Sequence, residues 1–143
     1  MKISIIPKGL KLLYFTRNTV QLIRFVYIQI ADGMDFLTKR NIYHGDLAAR
    51  NVLLTDSLDT KISDFGLSHR LYSDQIVPYS LSLREDSTTI LPLPIKWIAL
   101  ELLTRHEFIP ISSDVWSFGV TAWEIFSIGK EPYGVGKSSI ALS

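Results

Sequence analysis

The chain has 143 residues, 15 Lys and Arg against 14 Asp and Glu, 47% hydrophobic residues and no cysteine. That length can bury about two-thirds of its unfolded surface, enough for one core, and an aromatic content of 11% argues against wholesale disorder. A net charge of +1 lacks the clustered Lys and Arg that nucleic acid demands, and the absence of cysteine excludes disulfides, thiol catalysis and thiolate metal sites while fitting a reducing compartment.

No apolar run approaches the roughly 18 residues that cross a bilayer, and the apolar start before Pro7 is shorter than a secretory core of about 7–15 residues. Residues 1–18 form a segment of unclear order. From about Thr19 to Arg40, Ile23, Val26, Ile30, Met34 and Leu37 recur at helical spacing while Gln21, Arg24, Asp32, Asp35 and Lys39 fall on other faces. The pattern predicts an amphipathic helix docked on a core, weakened at Gly33 by up to about 1 kcal/mol.

A polar stretch, Asn41 to Arg50, precedes two short apolar runs, Val52-Leu53-Leu54 and Lys61-Ile62-Ser63, which read as a hairpin. Phe65 to Pro94 has no sustained period, the mark of a functional or disordered loop. Trp97 to Leu103 reads as a short helix. A second strong helix is predicted over 112–129, with Ser112 and Ser113 capping, Asp114 at the positive dipole end, and Val115, Phe118, Ala122 and Ile125 as its apolar stripe. Gly129 and Pro132 close it, and 135–143 reads as a flexible tail. There, Gly136-Lys137-Ser138 imitates a phosphate loop, but Glu131 stands where the first Gly should be and no strand precedes it. His44, His69 and His106 have no metal-ligand spacing.

Asp46 and Asn51 lie before the hairpin, and Asp64 follows its second strand. A hairpin returns its second strand beside the first, so both ends can face one cleft, where hard oxygen donors suit Mg²⁺. Asp and Asn also populate turns for their own backbone hydrogen bonds, and spacing alone leaves both readings open.

The neighbouring letters add a resemblance. His44-Gly45-Asp46-Leu47-Ala48-Ala49-Arg50-Asn51 is similar to the catalytic loop of protein kinases, and Asp64-Phe65-Gly66 to their metal-binding triplet. Pro94-Ile95-Lys96-Trp97-Ile98-Ala99-Leu100-Glu101 resembles the end of the activation loop, and Ser113-Asp114-Val115-Trp116-Ser117-Phe118-Gly119 the start of the buried central helix of the large lobe. Ala48-Ala49-Arg50 and Pro94-Ile95-Lys96-Trp97 resemble tyrosine kinases in particular. The Ala-Ala-Arg order is common in receptor-type members and also occurs in cytoplasmic ones.

The resemblance implies a mainly α (α+β) protein kinase-like fold: a partial kinase domain over 19–134, with catalytic loop 44–51, metal triplet 64–66, activation loop 67–101 and central helix 112–129. It would be the helical large lobe with a short β-hairpin, the small lobe absent, since Met1 to Thr19 contains neither a Gly-x-Gly-x-x-Gly pattern nor an Ala-x-Lys strand. By resemblance, Asp46 orients the substrate hydroxyl and Arg50 holds that Asp and the incoming tyrosine. Asn51, Asp64 and Gly66 serve the Mg²⁺ and ATP site, with Gly66 permitting the backbone turn after Asp64. Pro94, Lys96 and Trp97 position the substrate, Tyr72 and Tyr79 are candidate activation-loop phosphosites, and His44, Glu101 and Asp114 are structural.

The implied partners are ATP and tyrosine-bearing protein substrates, without nucleic acid. The implied location is cytoplasmic, either free or as the inner part of a membrane-anchored receptor. Two positions depart from the family pattern. Gly45 replaces the usual Arg, which suggests weak coupling between loop phosphorylation and activity, testable by Gly45→Arg; Leu100 replaces Pro, and Glu101 is expected to be a buried carboxylate without its Arg partner. The expected function is ATP-dependent protein tyrosine phosphorylation, with little activity from these 143 residues alone; the alternative is a non-catalytic pseudokinase or interaction module.

Overall fold

A computed structural model of the chain describes residues 17–70, 94–105 and 110–134. Tyr72, Tyr79, His106, most of the 67–101 loop and the 135–143 tail lie outside these residues. The described part is helical with two small antiparallel sheets. Its elements are α1 (Arg17–Thr38), β1 (Ile42–Tyr43), β2 (Val52–Leu54), β3 (Thr60–Ile62), β4 (His69–Arg70), α2 (Leu100–Arg105) and α3 (Pro110–Phe126), with short 3₁₀ turns at Ala49–Asn51 and Ile95–Trp97.

Helix α1 buries the stripe its spacing predicts: Ile23, Val26, Ile30, Met34 and Leu37 are all in the core, with Leu47, Ala49, Val52 and Ile125 completing the cluster. Full burial of a side chain such as Ile30 contributes about 1.5–3 kcal/mol. The helix ends where Asn41 takes a left-handed φ of 54°, a conformation Asn tolerates, and the chain turns into β1. Gly33 has a packing reason: a Cβ there would lie 2.8 Å from Ile62 Cδ1, so the glycine lets β3 approach α1 closely.

The predicted hairpin is present as β2 and β3, with Val52 opposite Ile62 and Leu54 opposite Thr60. Gln29 of α1 clamps its turn: Gln29 Oε1 accepts from Thr60 N at 2.9 Å and Nε2 donates to Leu58 O at 3.3 Å. A second pairing, Ile42 with Arg70 and Tyr43 with His69, joins the chain entering 44–51 to the chain leaving 64–66. Two-residue strands carry no periodicity, and the sequence gives no sign of this sheet.

The 97–103 segment is not one helix. Trp97 closes a 3₁₀ turn, its carbonyl accepts Ser117 Oγ at 2.7 Å, Ile98 is extended, and α2 begins only at Leu100. Helix α3 begins two residues before the expected 112, at Pro110, a residue whose missing N–H suits a first helical turn, and ends at Phe126 rather than at 129. Glu124 O accepts from Gly129 N at 2.8 Å, and left-handed Ile128 and Gly129 terminate it. Asp114 therefore lies inside α3 and not at its cap.

The face that α3 turns inward agrees with the expected one only in part. Ile125 is in the core and Phe118 packs against it, but Val115 is 65% exposed, and Asp114, Ser117, Thr121 and Glu124 are buried. Steps of 3, 4 and 3 place those four on one stripe, and hydrophobicity could not reveal it because the stripe is polar. The opposite face lines an open apolar cavity of about 710 Å³ with Val115, Trp116 and Trp123.

Candidate active site

The site is organised around the 44–51 loop, whose backbone is fixed by side chains far away in sequence. Asp114 accepts from His44 N at 2.8 Å through Oδ2 and from Gly45 N at 3.1 Å through Oδ1. Burial pushes the Asp114 carboxyl up from 3.8 to about 6, although both N–H donors pull it down. Further along the same helix, Thr121 Oγ1 lies 3.2 Å from Leu47 O, and Glu124 Oε2 accepts from Ala49 N at 3.0 Å.

His44 is fully buried and its tautomer follows from its partners. Asp46 N can only donate, so His44 Nδ1, 3.2 Å away, accepts; Ser63 O can only accept, so Nε2, also 3.2 Å away, carries the proton. Burial holds this imidazole below its usual 6.5, against the Ser63 bond and the carboxylates of Asp46 and Asp64, which raise it. A neutral His44 thus links the first loop to the chain just before Asp64, while its ring packs against Phe65 at 4.9 Å between centroids.

Gly45 has a φ of 81°, and a Cβ there would lie 2.6 Å from Leu67 O and 2.9 Å from Tyr43 Cε1. The close approach of the 67 backbone leaves no room for any side chain. This bears on the proposed Gly45→Arg exchange: it would first have to displace Leu67, so it cannot report on phosphate reading alone.

Two cation–carboxylate and amide–carboxylate contacts converge on Asp46. Arg50 Nη2 is ion-paired with Asp46 Oδ1, and Asn51 Nδ2 donates to Asp46 Oδ2 at 2.8 Å and to Asp46 O at 2.7 Å. The Arg50 guanidinium lies over the Trp97 ring, 4.4 Å from its centroid. Trp97 Nε1 in turn donates to Glu124 Oε2 at 2.7 Å. Lys96 bonds Glu131 Oε1 at 2.6 Å and Gly134 O at 2.8 Å, which ties the 94–97 turn to the segment after α3; Pro94 precedes that turn.

The Asn51 amide is fixed by the two bonds its nitrogen donates, which leaves Oδ1 as its outward acceptor; no hydrogen bond among the described residues takes it up. Ser63 N and Oγ both bond Asn51 O, at 2.8 and 2.9 Å, so the strand leading to Asp64 is tied directly to Asn51. Asp64 is exposed and has a φ of 66°. One carboxylate and one amide oxygen, with the remaining positions left to phosphate and water, is a donor set that fits Mg²⁺. No group of three or more His, Asp or Glu side chains at metal-binding distance occurs among the described residues.

One expected role needs correction and one needs refining. A turn does follow Asp64, closed by Ser68 N on Phe65 O at 3.1 Å with Gly66 as its second residue, but the left-handed φ belongs to Asp64, and a Cβ at Gly66 would meet only Asp64 Oδ1, at 3.4 Å. Glu101 is partly exposed in the first turn of α2, where the helix dipole favours a carboxylate, so it is not a buried unpaired charge. Sequence reasoning missed Glu124, Thr121 and Ser117. Their spacing from Asp114 was the available signal, and it became meaningful only with α3 seated behind the loop.

Residues 12–141 match the family described as protein tyrosine and serine/threonine kinase. The tyrosine-protein kinase receptor TYRO3 of Danio rerio is 44% identical over 88% of the chain and 13% of its own length. The macrophage colony-stimulating factor 1 receptor 1 of Takifugu rubripes is 46% identical over 78% of the chain and 10% of its own length. The mast/stem cell growth factor receptor-related protein Kit of Xenopus laevis is 45% identical over 81% and 11%. The chain thus spans about a tenth of the curated relatives it matches. No described helix is long and apolar enough to cross a membrane. With the kinase motifs and this match covering nearly the whole chain, the protein belongs to the protein tyrosine and serine/threonine kinase family.

Proposed function

We propose that this chain is the part of an ATP-dependent protein tyrosine kinase that carries the phosphoryl-transfer loop, within the large lobe of the fold. The observation that supports this best is the setting of Asp46: its carboxylate is held by Arg50 on one side and Asn51 on the other, and its backbone N–H is fixed by His44. Such a carboxylate can accept a hydrogen bond from a substrate hydroxyl and orient the oxygen for in-line attack. Transfer proceeds through a loose transition state, so positioning and charge neutralisation provide most of the acceleration.

Asn51 Oδ1 and the Asp64 carboxylate would hold Mg²⁺, which when bound neutralises charge on the nucleotide phosphates. Arg50 over Trp97 forms a flat cationic surface beside Asp46, and a phenolic ring has a longer reach than a serine hydroxyl; this supports tyrosine as acceptor. The names of the relatives, receptors in each of the three cases above, favour a receptor-type parent with this portion on the cytoplasmic side.

The test is phosphotyrosine formation on a Glu/Tyr copolymer with Mg·ATP. In the full-length parent, wild type is expected to transfer phosphate, Asp46→Asn to lose at least about a hundredfold in rate while still binding nucleotide, and Asp64→Asn to lose Mg²⁺-dependent nucleotide binding, whereas these 143 residues alone are expected to transfer little. A full-length parent that gives no phosphotyrosine would overturn the reading and favour a non-catalytic role.

A further inference from the structure

Glu124 is the most consequential polar group that the proposed chemistry does not use. It is a buried carboxylate near the end of α3, and a single oxygen, Oε2, accepts from two segments that are otherwise unrelated in sequence: Ala49 N at 3.0 Å and Trp97 Nε1 at 2.7 Å. Ala49 directly precedes Arg50. Trp97 supplies the ring on which the Arg50 guanidinium rests. Arg50 then reaches Asp46. The chain of contacts Glu124, Trp97, Arg50, Asp46 is continuous, and the Glu124 bond to Ala49 closes it into a loop.

Each link restricts the next by geometry. An indole with its Nε1–H bonded to a buried acceptor cannot rotate about its Cβ–Cγ bond without losing a charge-assisted hydrogen bond. The plane of Trp97 therefore sets the plane in which Arg50 lies, and Arg50 has two constraints, the ring beneath it and the Asp46 carboxylate at its end. Ser117 Oγ, 2.7 Å from Trp97 O, fixes the backbone of the same tryptophan from the same helix stripe.

We propose that Glu124 is a positioning residue that sets the Trp97–Arg50 platform on which the acceptor side chain of a protein substrate rests, so that it governs acceptor-substrate engagement and leaves nucleotide binding alone. This rests on the tyrosine kinase reading above, in so far as the platform faces a substrate. The nucleotide side of the site, Asn51 and Asp64, shares only the Asp46 carboxylate with that chain: Asn51 is also held by the Asp46 backbone carbonyl and by Ser63, and Asp64 by the chain that Ser63 anchors.

The experiment compares Glu124→Ala, Glu124→Gln and Trp97→Phe in the full-length parent. Glu124→Ala removes both acceptor contacts. Gln keeps an acceptor oxygen without the charge, and Phe keeps a ring under Arg50 without the Nε1–H. The expected result is a rise of about tenfold in the KM for a tyrosine peptide with Glu124→Ala, the scale of one charge-assisted hydrogen bond, and a KM for ATP within about twofold of wild type. Glu124→Gln should recover most of the loss. On the Trp97→Phe background Glu124→Gln should add little, because the bond it weakens is already gone. Independently of turnover, the Trp97 indole ¹⁵N–¹H resonance should move upfield and exchange faster with water in Glu124→Ala.

Equal losses toward ATP and peptide that track a lower melting temperature would overturn the positioning role, as would additive effects of Glu124→Gln and Trp97→Phe. If the alanine variant does not fold, Trp97→Phe still decides it: it should raise the KM for the peptide and leave the KM for ATP within about twofold of wild type, and equal losses toward both would overturn the role. Should the full-length parent transfer no phosphate to tyrosine, it is the kinase reading that fails, and an unmoved Trp97 indole resonance in Glu124→Ala would separately overturn the contact on which the positioning role stands.

Discussion

Replacing Asp114 with Asn is predicted to change how stability depends on pH. In the folded protein the Asp114 carboxyl is raised from 3.8 to about 6, chiefly because it is 5% exposed, and despite two backbone N–H donors. At about 1.4 kcal/mol per pH unit, that rise corresponds to about 3 kcal/mol. The folded state binds this proton more tightly than the unfolded chain does. The contribution therefore favours folding fully below pH 3.8 and is lost as pH rises through about 6. His44 acts with the opposite sign: its folded value is lowered, so its contribution is present above 6.5 and falls away as pH drops through the folded value. A single stability curve sums the two, but the wild type minus Asp114→Asn difference isolates the carboxylate.

Urea unfolding followed by tryptophan fluorescence between pH 4 and 8 supplies that difference. Asn retains one acceptor and presents its amide to the other loop N–H, a constant offset of about 1–3 kcal/mol. On top of it, the advantage of wild type over Asp114→Asn should shrink by about 3 kcal/mol from pH 4 to pH 7. Two parallel curves would refute the argument and mean that the N–H donors fully offset burial.

Gly45→Ala should lower stability by about 2–4 kcal/mol, from its left-handed φ and the overlap with Leu67 O, whereas Gly66→Ala should be within about 0.5 kcal/mol of wild type; paired thermal melts check this. Ile30→Ala, at a fully buried position of α1, should cost about 2–5 kcal/mol by the same measurement. Gln29→Ala removes both side-chain clamps on the β2–β3 turn and should cost about 1 kcal/mol, with faster amide exchange at Thr60 as a local readout.

What the sequence disclosed, and what it hid, follow from the range of the interactions. Helix α1 was readable residue by residue because its buried face is apolar and its period local; Ile23 to Leu37 needed no partner to be recognised. The β2–β3 hairpin was readable from two apolar runs and a five-residue polar turn. The order of Asp46, Asn51 and Asp64 carried the chemistry through resemblance. Of the inward face of α3, Ile125 was readable from its period and Asp114 as a structural residue by resemblance; Ser117, Thr121 and Glu124 look like a solvated stripe until their partners, Trp97 O and the backbone of a loop about 75 residues earlier, are in place. Gly45 was conspicuous as a departure, but its cause, the Leu67 carbonyl, depends on a two-residue sheet with no local signal.

The polar stripe on α3 has a consequence for how the chain acquires its shape during synthesis. The bond from Ala49 to Glu124 spans 75 residues and that from His44 to Asp114 spans 70. At about 5–20 residues per second, a ribosome that has just released the 44–51 loop needs on the order of several seconds before the last of its anchors is made. Until then α1 and the hairpin can assemble, but the loop has carbonyls and N–H groups with no acceptor or donor waiting. A helix usually valued for its apolar face here serves as a late-arriving template, and nascent chains halted before Glu124 should hold α1 and the hairpin assembled beside an unformed site.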